Sequence, residues 1–264
     1  MHSKAYFIPA IVLCAAALLF SGYQVSARLI ATHQAQEQFA GAAAQIESPA
    51  SSVPPTTPGA SSIPVDSEPV TPPAPVWTVY DQYGTLFDAN PAMIGWIKID
   101  GTAIDYPVMQ TDNNSYYLSH GLDGTASKHG VPFVDYRCDI YKPSGNITIY
   151  GHHMGDGTMF NNLEKYKSKD FFLAHPMIEF DTRAGFGEYQ IIAVFKVNPA
   201  RFPYQQFADG GQAAFDAYVN RCMSLSLYDT GYTATYGDKL ITLSTCEYSA
   251  PGNRLAVVAK RVSP

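Results

Sequence analysis

Short apolar runs rich in β-branched residues follow one another along the chain from residue 93, with glycine, aspartate and asparagine between them. Such runs favour β-strands, and the residues between them are typical of turns. The predicted strands cover residues 95–99, 106–109, 130–135, 146–152, 177–180, 188–197, 240–246 and 254–262. Apolar residues recur at helical intervals in 77–88, 158–169 and 207–227. The pattern predicts a mainly β domain with two or three helices, and closing its sheet would remove the exposed edges.

The amino-terminal segment has a different pattern. Residues 5–27 contain no charged side chain, and Lys4 and Arg28 flank them. This length is sufficient to cross a bilayer, which takes about 20 residues. A cleaved signal peptide is the alternative, because Val25-Ser26-Ala27 resembles a small-residue cleavage site. Because Lys and Arg are absent between Arg28 and Lys98, the amino terminus is predicted inside and the rest of the chain outside.

A connecting region separates this segment from the predicted domain. Residues 32–46 are rich in Ala and Gln and are expected to form a helical stalk. Residues 48–75 hold nine prolines among serines and threonines and no aromatic residue, which predicts an extended spacer. The predicted organisation is therefore an anchor or signal segment at 1–28, a stalk and linker at 29–75, and a folded domain at 76–264.

Composition narrows the possible functions. The net charge of −6 argues against nucleic-acid binding, which needs a basic surface. Four cysteines are too few for a disulfide scaffold. Cys14 lies in the apolar segment and Cys246 in the motif described next, so Cys138 and Cys222 are the remaining pair that could form a disulfide. The alternative is that both are ordinary buried thiols.

Candidate chemistry lies at strand ends in the carboxy-terminal half. Cys246 ends the run Thr-Leu-Ser-Thr-Cys, and Arg254 begins the next predicted strand. A nearby cation favours the thiolate or stabilises an oxyanion formed by its attack. His152, at the end of Ile-Tyr-Gly-His, offers the base that a nucleophilic cysteine needs.

Taken in chain order, His152, Cys246 and Arg254 with their flanking residues resemble the catalytic motifs of sortases. Further stretches resemble the class B branch, namely Gly-Trp-Ile-Lys-Ile from Gly95, Ile-Asp-Tyr-Pro-Val from Ile104, Asp-Tyr-Arg from Asp135 and Gly-Thr-Met-Phe from Gly157. The resemblance spans residues 76–262. It implies a closed eight-stranded β-barrel with an amino-terminal helix and a helix between strands six and seven.

The resemblance also implies residue roles. Cys246 is the expected nucleophile, His152 rather than the adjacent His153 the acid and base, and Arg254 the oxyanion donor. The backbone N–H of Glu247 is expected to complete the oxyanion hole, with the Glu247 side chain in solvent. Asn114, Leu118 and Ser244 match positions that line the peptide groove in relatives, and Tyr204 is a further candidate for capping it. No cofactor is required, and a metal site at His152, His153 and Asp156 is rejected because no second ligand cluster accompanies it.

The implied function is an extracytoplasmic cysteine transpeptidase, held in the membrane of a Gram-positive bacterium. Such an enzyme cleaves a sorting signal after threonine, usually of an Asn-Pro-x-Thr type, and transfers the protein to a peptidoglycan amine. A pilin-polymerising enzyme with a lysine acceptor remains an alternative. A papain-like protease is disfavoured because His152 precedes Cys246. A non-catalytic surface module would require Cys246 to be buried and unreactive.

Overall fold

The structure is a computed structural model that describes residues 4–48, 76–142, 145–206 and 210–263. Its α-helices are α1 (Lys4–Ala43), α2 (Val79–Ala89), α3 (Lys169–Ala174) and α4 (Gly211–Leu225). Its strands are β1 (Met93–Lys98), β2 (Asp105–Met109), β3 (Phe133–Val134), β4 (Asn146–Tyr150), β5 (Met177–Thr182), β6 (Glu188–Val197), β7 (Leu240–Cys246) and β8 (Arg254–Arg261). Within the described residues, 3₁₀ helices lie at Tyr116–Leu118, Phe160–Lys167 and Tyr204–Gln206.

The eight strands close into one barrel in the order β1-β2-β3-β4-β7-β8-β6-β5. The pairs β2–β3 and β4–β7 are parallel, and the other pairs are antiparallel. Helix α2 precedes β1, and α4 lies between β6 and β7. This architecture confirms the predicted sortase-type barrel.

Two apolar clusters explain why β6 and β8 are apolar on both faces. Ile191 and Val194 of β6 point into the main cluster, which fills the barrel. Ile192 and Phe195 point outwards into a second cluster. Helix α4 covers this outer face with Phe215, Tyr218, Val219 and Cys222. A strand covered on both sides is expected to be continuously apolar rather than alternating.

Local chemistry sets the start of α2. The Thr78 side chain accepts from the Asp81 N–H, and the Asp81 carboxylate accepts from the Thr78 N–H, which completes a capping box. Along the helix, Tyr83 stacks on Trp96 of β1 at 6.2 Å between ring centroids. The helix therefore packs against the β1 wall of the barrel.

Two predicted elements differ in the structure. The strand predicted at 130–135 is reduced to β3, because Gly130 has a positive φ of 60° and the chain turns there. The helix predicted at 158–169 is a 3₁₀ helix followed by α3, with Ser168 extended between them. The Ser168 side chain accepts from the Phe171 N–H, so it ends one helix and caps the next.

The predicted membrane segment and stalk form one continuous helix, α1, whose later part packs on the barrel through Ala35, Phe39 and Ala42. Just beyond it, the Glu47 N–H donates to the Gln82 carbonyl of α2 at 3.0 Å. The predicted extended spacer lies almost wholly outside the described residues.

Cys138 and Cys222 are both thiols and are not joined to each other. Cys222 is fully buried in the cluster under α4, and burial raises the pKa of its thiol to about 12. The alternative of two ordinary thiols is therefore what the structure shows.

Candidate active site

Strand pairing brings the predicted nucleophile and cation together. Cys246 is the last residue of β7, and its register partner on the antiparallel β8 is Arg254, the first residue of that strand. Directly opposed residues of an antiparallel pair project their side chains to the same face, with Cβ atoms about 4.5–5.5 Å apart. Cys246 is half-buried, so its thiol is open to a ligand.

A second pairing brings in the histidine. In the parallel pair β4–β7, Tyr150 is the register partner of Ser244. His152 and Cys246 each lie two residues after this pair, so they are at the same level of the sheet. Two hydrogen bonds continue the pairing past the strand ends. The Gly151 N–H donates to the Ser244 carbonyl at 3.2 Å, and Thr245 Oγ1 donates to the Gly151 carbonyl at 2.8 Å.

The His152 ring is held by a backbone contact. Its Nε2 lies 2.8 Å from the Leu118 carbonyl oxygen, which can only accept, so Nε2 carries the proton. In the neutral ring, Nδ1 is then the nitrogen that can accept a proton. His153, in contrast, lies against Asn161, Glu164 and Tyr248 and does not line the cavity described next.

A cavity of about 490 Å³ unites these groups. Of the eight residues predicted for the site, all but Glu247 line it, namely Asn114, Leu118, His152, Tyr204, Ser244, Cys246 and Arg254. Tyr204 is almost fully buried, and its hydroxyl lies 2.7 Å from Ser244 Oγ. Burial raises the pKa of Tyr204, so the phenol stays protonated and can donate.

Asp135 organises one wall of this cavity. Its buried carboxylate accepts from Asn114 Nδ2 at 3.0 Å, from the Tyr150 hydroxyl at 2.8 Å, and from Arg137 Nε and Nη2 at 2.8 and 2.6 Å. Burial acts to raise the pKa of Asp135, but these hydrogen bonds outweigh it and hold the pKa below its usual value. Asn114 is further fixed because its Oδ1 accepts from the Tyr136 N–H. The carboxylate therefore sets the orientation of two cavity-lining side chains.

Asp135→Asn is expected to lower the free energy of unfolding by about 2 kcal/mol. Removing one partner of a fully buried ion pair costs about 3–5 kcal/mol. The cost should be smaller here because Arg137 is 42% exposed and can turn to water. Chemical denaturation measures the change, with the exposed Asp112→Asn as control. Equal stability of the two variants would contradict a structural role for Asp135.

Both predictions for Glu247 need correction. Its N–H donates to the Asn253 carbonyl at 3.0 Å, just beyond the last β7–β8 pair, and is not available to an oxyanion. Its side chain is buried rather than solvated, and its carboxylate accepts from Lys167 Nζ at 3.0 Å and from the Ser249 hydroxyl. Burial acts to raise the pKa of Glu247, but the hydrogen bonds from Ser249 and Lys167 lower it to about 2. The Glu247 carboxylate therefore fixes the conformation of the loop that follows Cys246.

The Glu247 carboxylate should make stability depend on pH. Its pKa of about 2 in the folded chain lies below the value of about 4.3 for an unperturbed glutamate. Its stabilisation is therefore complete above about pH 4.3 and is lost as the pH falls towards 2. Hydrogen bonds to a charged group contribute about 1.5–3 kcal/mol, so Glu247→Gln should be less stable than the parent by about this amount at pH 7.

Urea unfolding at several pH values tests this dependence. The stabilities of the parent and Glu247→Gln should converge as the pH approaches 2. The exposed Glu188→Gln should follow the parent throughout. A Glu247→Gln difference that stays constant down to pH 2 would show that the carboxylate's charge is not responsible.

Sequence reasoning did not assign roles to Asp135, Lys167 or Tyr150. Asp135 and Tyr150 lie inside stretches already quoted for the sortase resemblance, so the signal was present without a role attached. No local sequence pattern indicated a role for Lys167, because its partner Glu247 is 80 residues away. Within the described parts of the chain, no group of three His, Cys, Asp or Glu side chains could hold a metal ion.

Comparison with known proteins agrees with this geometry. The sortase domain family matches residues 97–262, so the chain belongs to the sortases, which are cysteine transpeptidases of cell-wall sorting. This membership replaces the papain-like and non-catalytic alternatives.

Within that family, the chain is a sortase of class B. It is 33% identical to sortase B of Staphylococcus aureus over 188 residues, which are 69% of this chain and 75% of that one. It is 36% identical to sortase B of Listeria monocytogenes over 169 residues, which are 64% of this chain and 68% of that one. A solved structure of the S. aureus enzyme with a substrate matches with a TM-score of 0.65 at 32% identity, covering 69% of this chain and 85% of that one. Sortase B of Clostridium perfringens also gives 0.65, at 30% identity, covering 68% and 99%.

Proposed function

We propose that this sortase cleaves a carboxy-terminal sorting signal after threonine and transfers the acyl group to an amine of the cell wall. The observation that carries the proposal is the shared register of three strand ends. It places Cys246 opposite Arg254 and level with His152, all on one cavity.

In the first half-reaction, the Cys246 thiol passes its proton to His152, and Sγ attacks the threonine carbonyl carbon to form the carbon–sulfur bond. Arg254 donates to the oxygen that becomes negatively charged. The carbon–nitrogen bond then breaks, and protonated His152 gives its proton to the departing amine. A thioacyl enzyme and a free amine result.

The second half-reaction reverses the proton flow. An incoming amine attacks the thioester carbon and passes its proton to His152. The carbon–sulfur bond then breaks, and the released Cys246 sulfur takes that proton back. Water must compete poorly with the amine for transfer to prevail over hydrolysis. The cavity walls, formed by Leu118, Tyr204 and their neighbours, provide partial exclusion of water.

The proposed substrate is an Asn-Pro-x-Thr peptide, and the proposed acceptor is a peptidoglycan amine. One similar solved structure is a sortase B complexed with triglycine, at 32% identity and a TM-score of 0.66. That protein's complex supports a short peptide amine as acceptor here. Within the cavity, Asn114, Ser244 and Tyr204 supply the polar groups for the peptide backbone.

The proposed location is the outer face of the cell membrane, with the amino terminus inside and α1 as an uncleaved anchor. By length and composition, the helical stretch Val12–Ala43 could span a bilayer. The absence of Lys and Arg between Arg28 and Lys98 supports an external domain.

A peptide panel tests the function on the full chain in detergent. Quenched Asn-Pro-x-Thr and Leu-Pro-x-Thr-Gly peptides are offered with triglycine, with a lysine-bearing peptide, or with neither. We expect cleavage after threonine in the Asn-Pro-x-Thr peptide and a product joined to triglycine, identified by mass. Transfer only to lysine would replace wall anchoring with pilin polymerisation. Cleavage of neither peptide would refute the substrate assignment.

A further inference from the structure

Helix α1 changes its surroundings part-way along its length. From Val12 to Ile30 its large apolar side chains are exposed, with exposed fractions of 54% to 76%. From Thr32 onwards the helix lies on the barrel, where Ala35, Phe39 and Ala42 are buried at intervals of four and three residues. One rigid helix therefore carries both a lipid-compatible half and a docked half.

Contacts at successive levels fix the docked half. Thr32 Oγ1 donates to Asp156 Oδ2 at 2.8 Å, and the same carboxylate oxygen lies 2.7 Å from His129 Nε2. Further along, Gln38 Nε2 donates to Asp123 Oδ2 at 3.0 Å. The Phe39 ring packs edge-on against Tyr106 of β2, with 5.1 Å between centroids. Contacts at several points along one helix fix its rotation as well as its position.

The end of the docked half nearest the apolar stretch lies beside the part of the active site that holds His152. Asp156, which Thr32 contacts, lies four residues after His152 in the same loop. Gly130, the residue after His129, lies close to the His152 ring, because a Cβ built on Gly130 would be 3.3 Å from that ring. At the other end of the docked half, Ala43 and Ile46 share a cavity with Trp96 and Lys98.

The spacing leaves little room between bilayer and barrel. Arg28 is the first charged residue after the apolar stretch, and Thr32 follows four residues later. At 1.5 Å per residue, this is about 6 Å along the helix. The polar headgroup layer is itself about 5–8 Å thick on each side of the bilayer.

We infer that the barrel rests on the lipid headgroup layer in a fixed orientation, with the His152 end of its groove turned towards the bilayer. This inference rests on the proposed retention of α1 as an anchor. The linker between Glu47 and Val76 then does not set the distance of the enzyme from the membrane, because Glu47 is already hydrogen-bonded to Gln82 of the domain. The exposed Lys128, beside His129, would face the headgroups.

The orientation can be measured at two matched positions. Lys128 and Lys98 are both exposed and lie near opposite ends of the docked half of α1, which are about 16 Å apart along the helix. Each is changed to cysteine in a full chain whose four native cysteines are alanine, and is labelled with a fluorophore. The protein is placed in nanodiscs whose lipids carry a nitroxide quencher on the headgroup. Matching melting curves confirm that both labelled chains are folded.

We expect most of the fluorescence to be lost at Lys128→Cys and most to be retained at Lys98→Cys. Deleting residues 52–72 should leave this contrast unchanged. The undocking change Phe39→Asp should abolish the contrast, while Gln36→Asp on the exposed face of α1 should preserve it.

Equal quenching at the two positions, or stronger quenching at Lys98→Cys, would overturn the inference. So would quenching that appears at both positions only when residues 52–72 are deleted. The measurement needs no catalysis, so it is independent of the peptide panel. Cleavage of the anchor would be seen separately, as a shortened mass and loss of the protein from the nanodisc.

Discussion

Cys246→Ala is expected to lower the rate of acyl transfer by at least about 10⁴-fold, as removal of a catalytic nucleophile does in enzymes whose catalytic residues act as a unit. Alanine removes the atom that forms the thioester and leaves the β7–β8 pairing intact, so the fold should be retained. The measurement is the initial rate of transfer to triglycine at saturating peptide, together with the melting temperature of each chain.

The matched control is Cys138→Ala, which removes another half-buried thiol outside the cavity. Its activity should equal that of the parent. Mass spectrometry of the parent with peptide and no acceptor should show an acyl group on Cys246. An adduct elsewhere, or a Cys246→Ala chain with parental activity, would remove Cys246 from the proposed role.

Arg254→Lys is expected to lower kcat by about 10²–10³-fold with a much smaller change in KM, because an oxyanion donor acts mainly in the transition state. Arg254 Nη1 already donates to the Asn253 carbonyl at 3.0 Å, which orients the guanidinium. Lysine keeps the positive charge but has a single ammonium group in place of a planar fork. It cannot make the backbone contact and reach the substrate in the same geometry.

Arg201→Lys is the control, because Arg201 is exposed and lies outside the cavity. If Arg254→Lys raises KM and leaves kcat unchanged, the guanidinium binds the peptide in the ground state. The oxyanion role would then have to be assigned to another donor.

The strand positions and the strand ends could be predicted from the sequence because they depend on local signals, whereas the closed eight-stranded barrel came from the sortase resemblance. Cys246 and Arg254 belong to two strands joined by a short turn, so their pairing follows from hairpin geometry. The position of His152 could not be derived in this way, because β4 and β7 are parallel neighbours far apart in sequence. Only the motif resemblance supplied it.

Glu247 shows where the reasoning failed. A glutamate next to a loop is usually solvent-exposed, and a buried one needs a partner. That partner is Lys167, at the end of a 3₁₀ helix 80 residues away, and no local pattern reports such a contact. Asp135 differs from Glu247, because its partner Arg137 is only two residues away and its stretch was already part of the resemblance. What the sequence did not indicate was its role in holding Asn114 and Tyr150.

The residues that line the cavity come from two kinds of structural element, the barrel strands and the connections between them. The thiol of Cys246 and the guanidinium of Arg254, which carry the proposed chemistry, belong to barrel strands. Asn114, Leu118 and Tyr204 come from connections between the strands. Connections tolerate substitution and insertion far better than paired strands do. Inherited changes in those connections could therefore alter which peptide is accepted while the chemistry stays intact, so new specificities can arise on this barrel without a new catalyst.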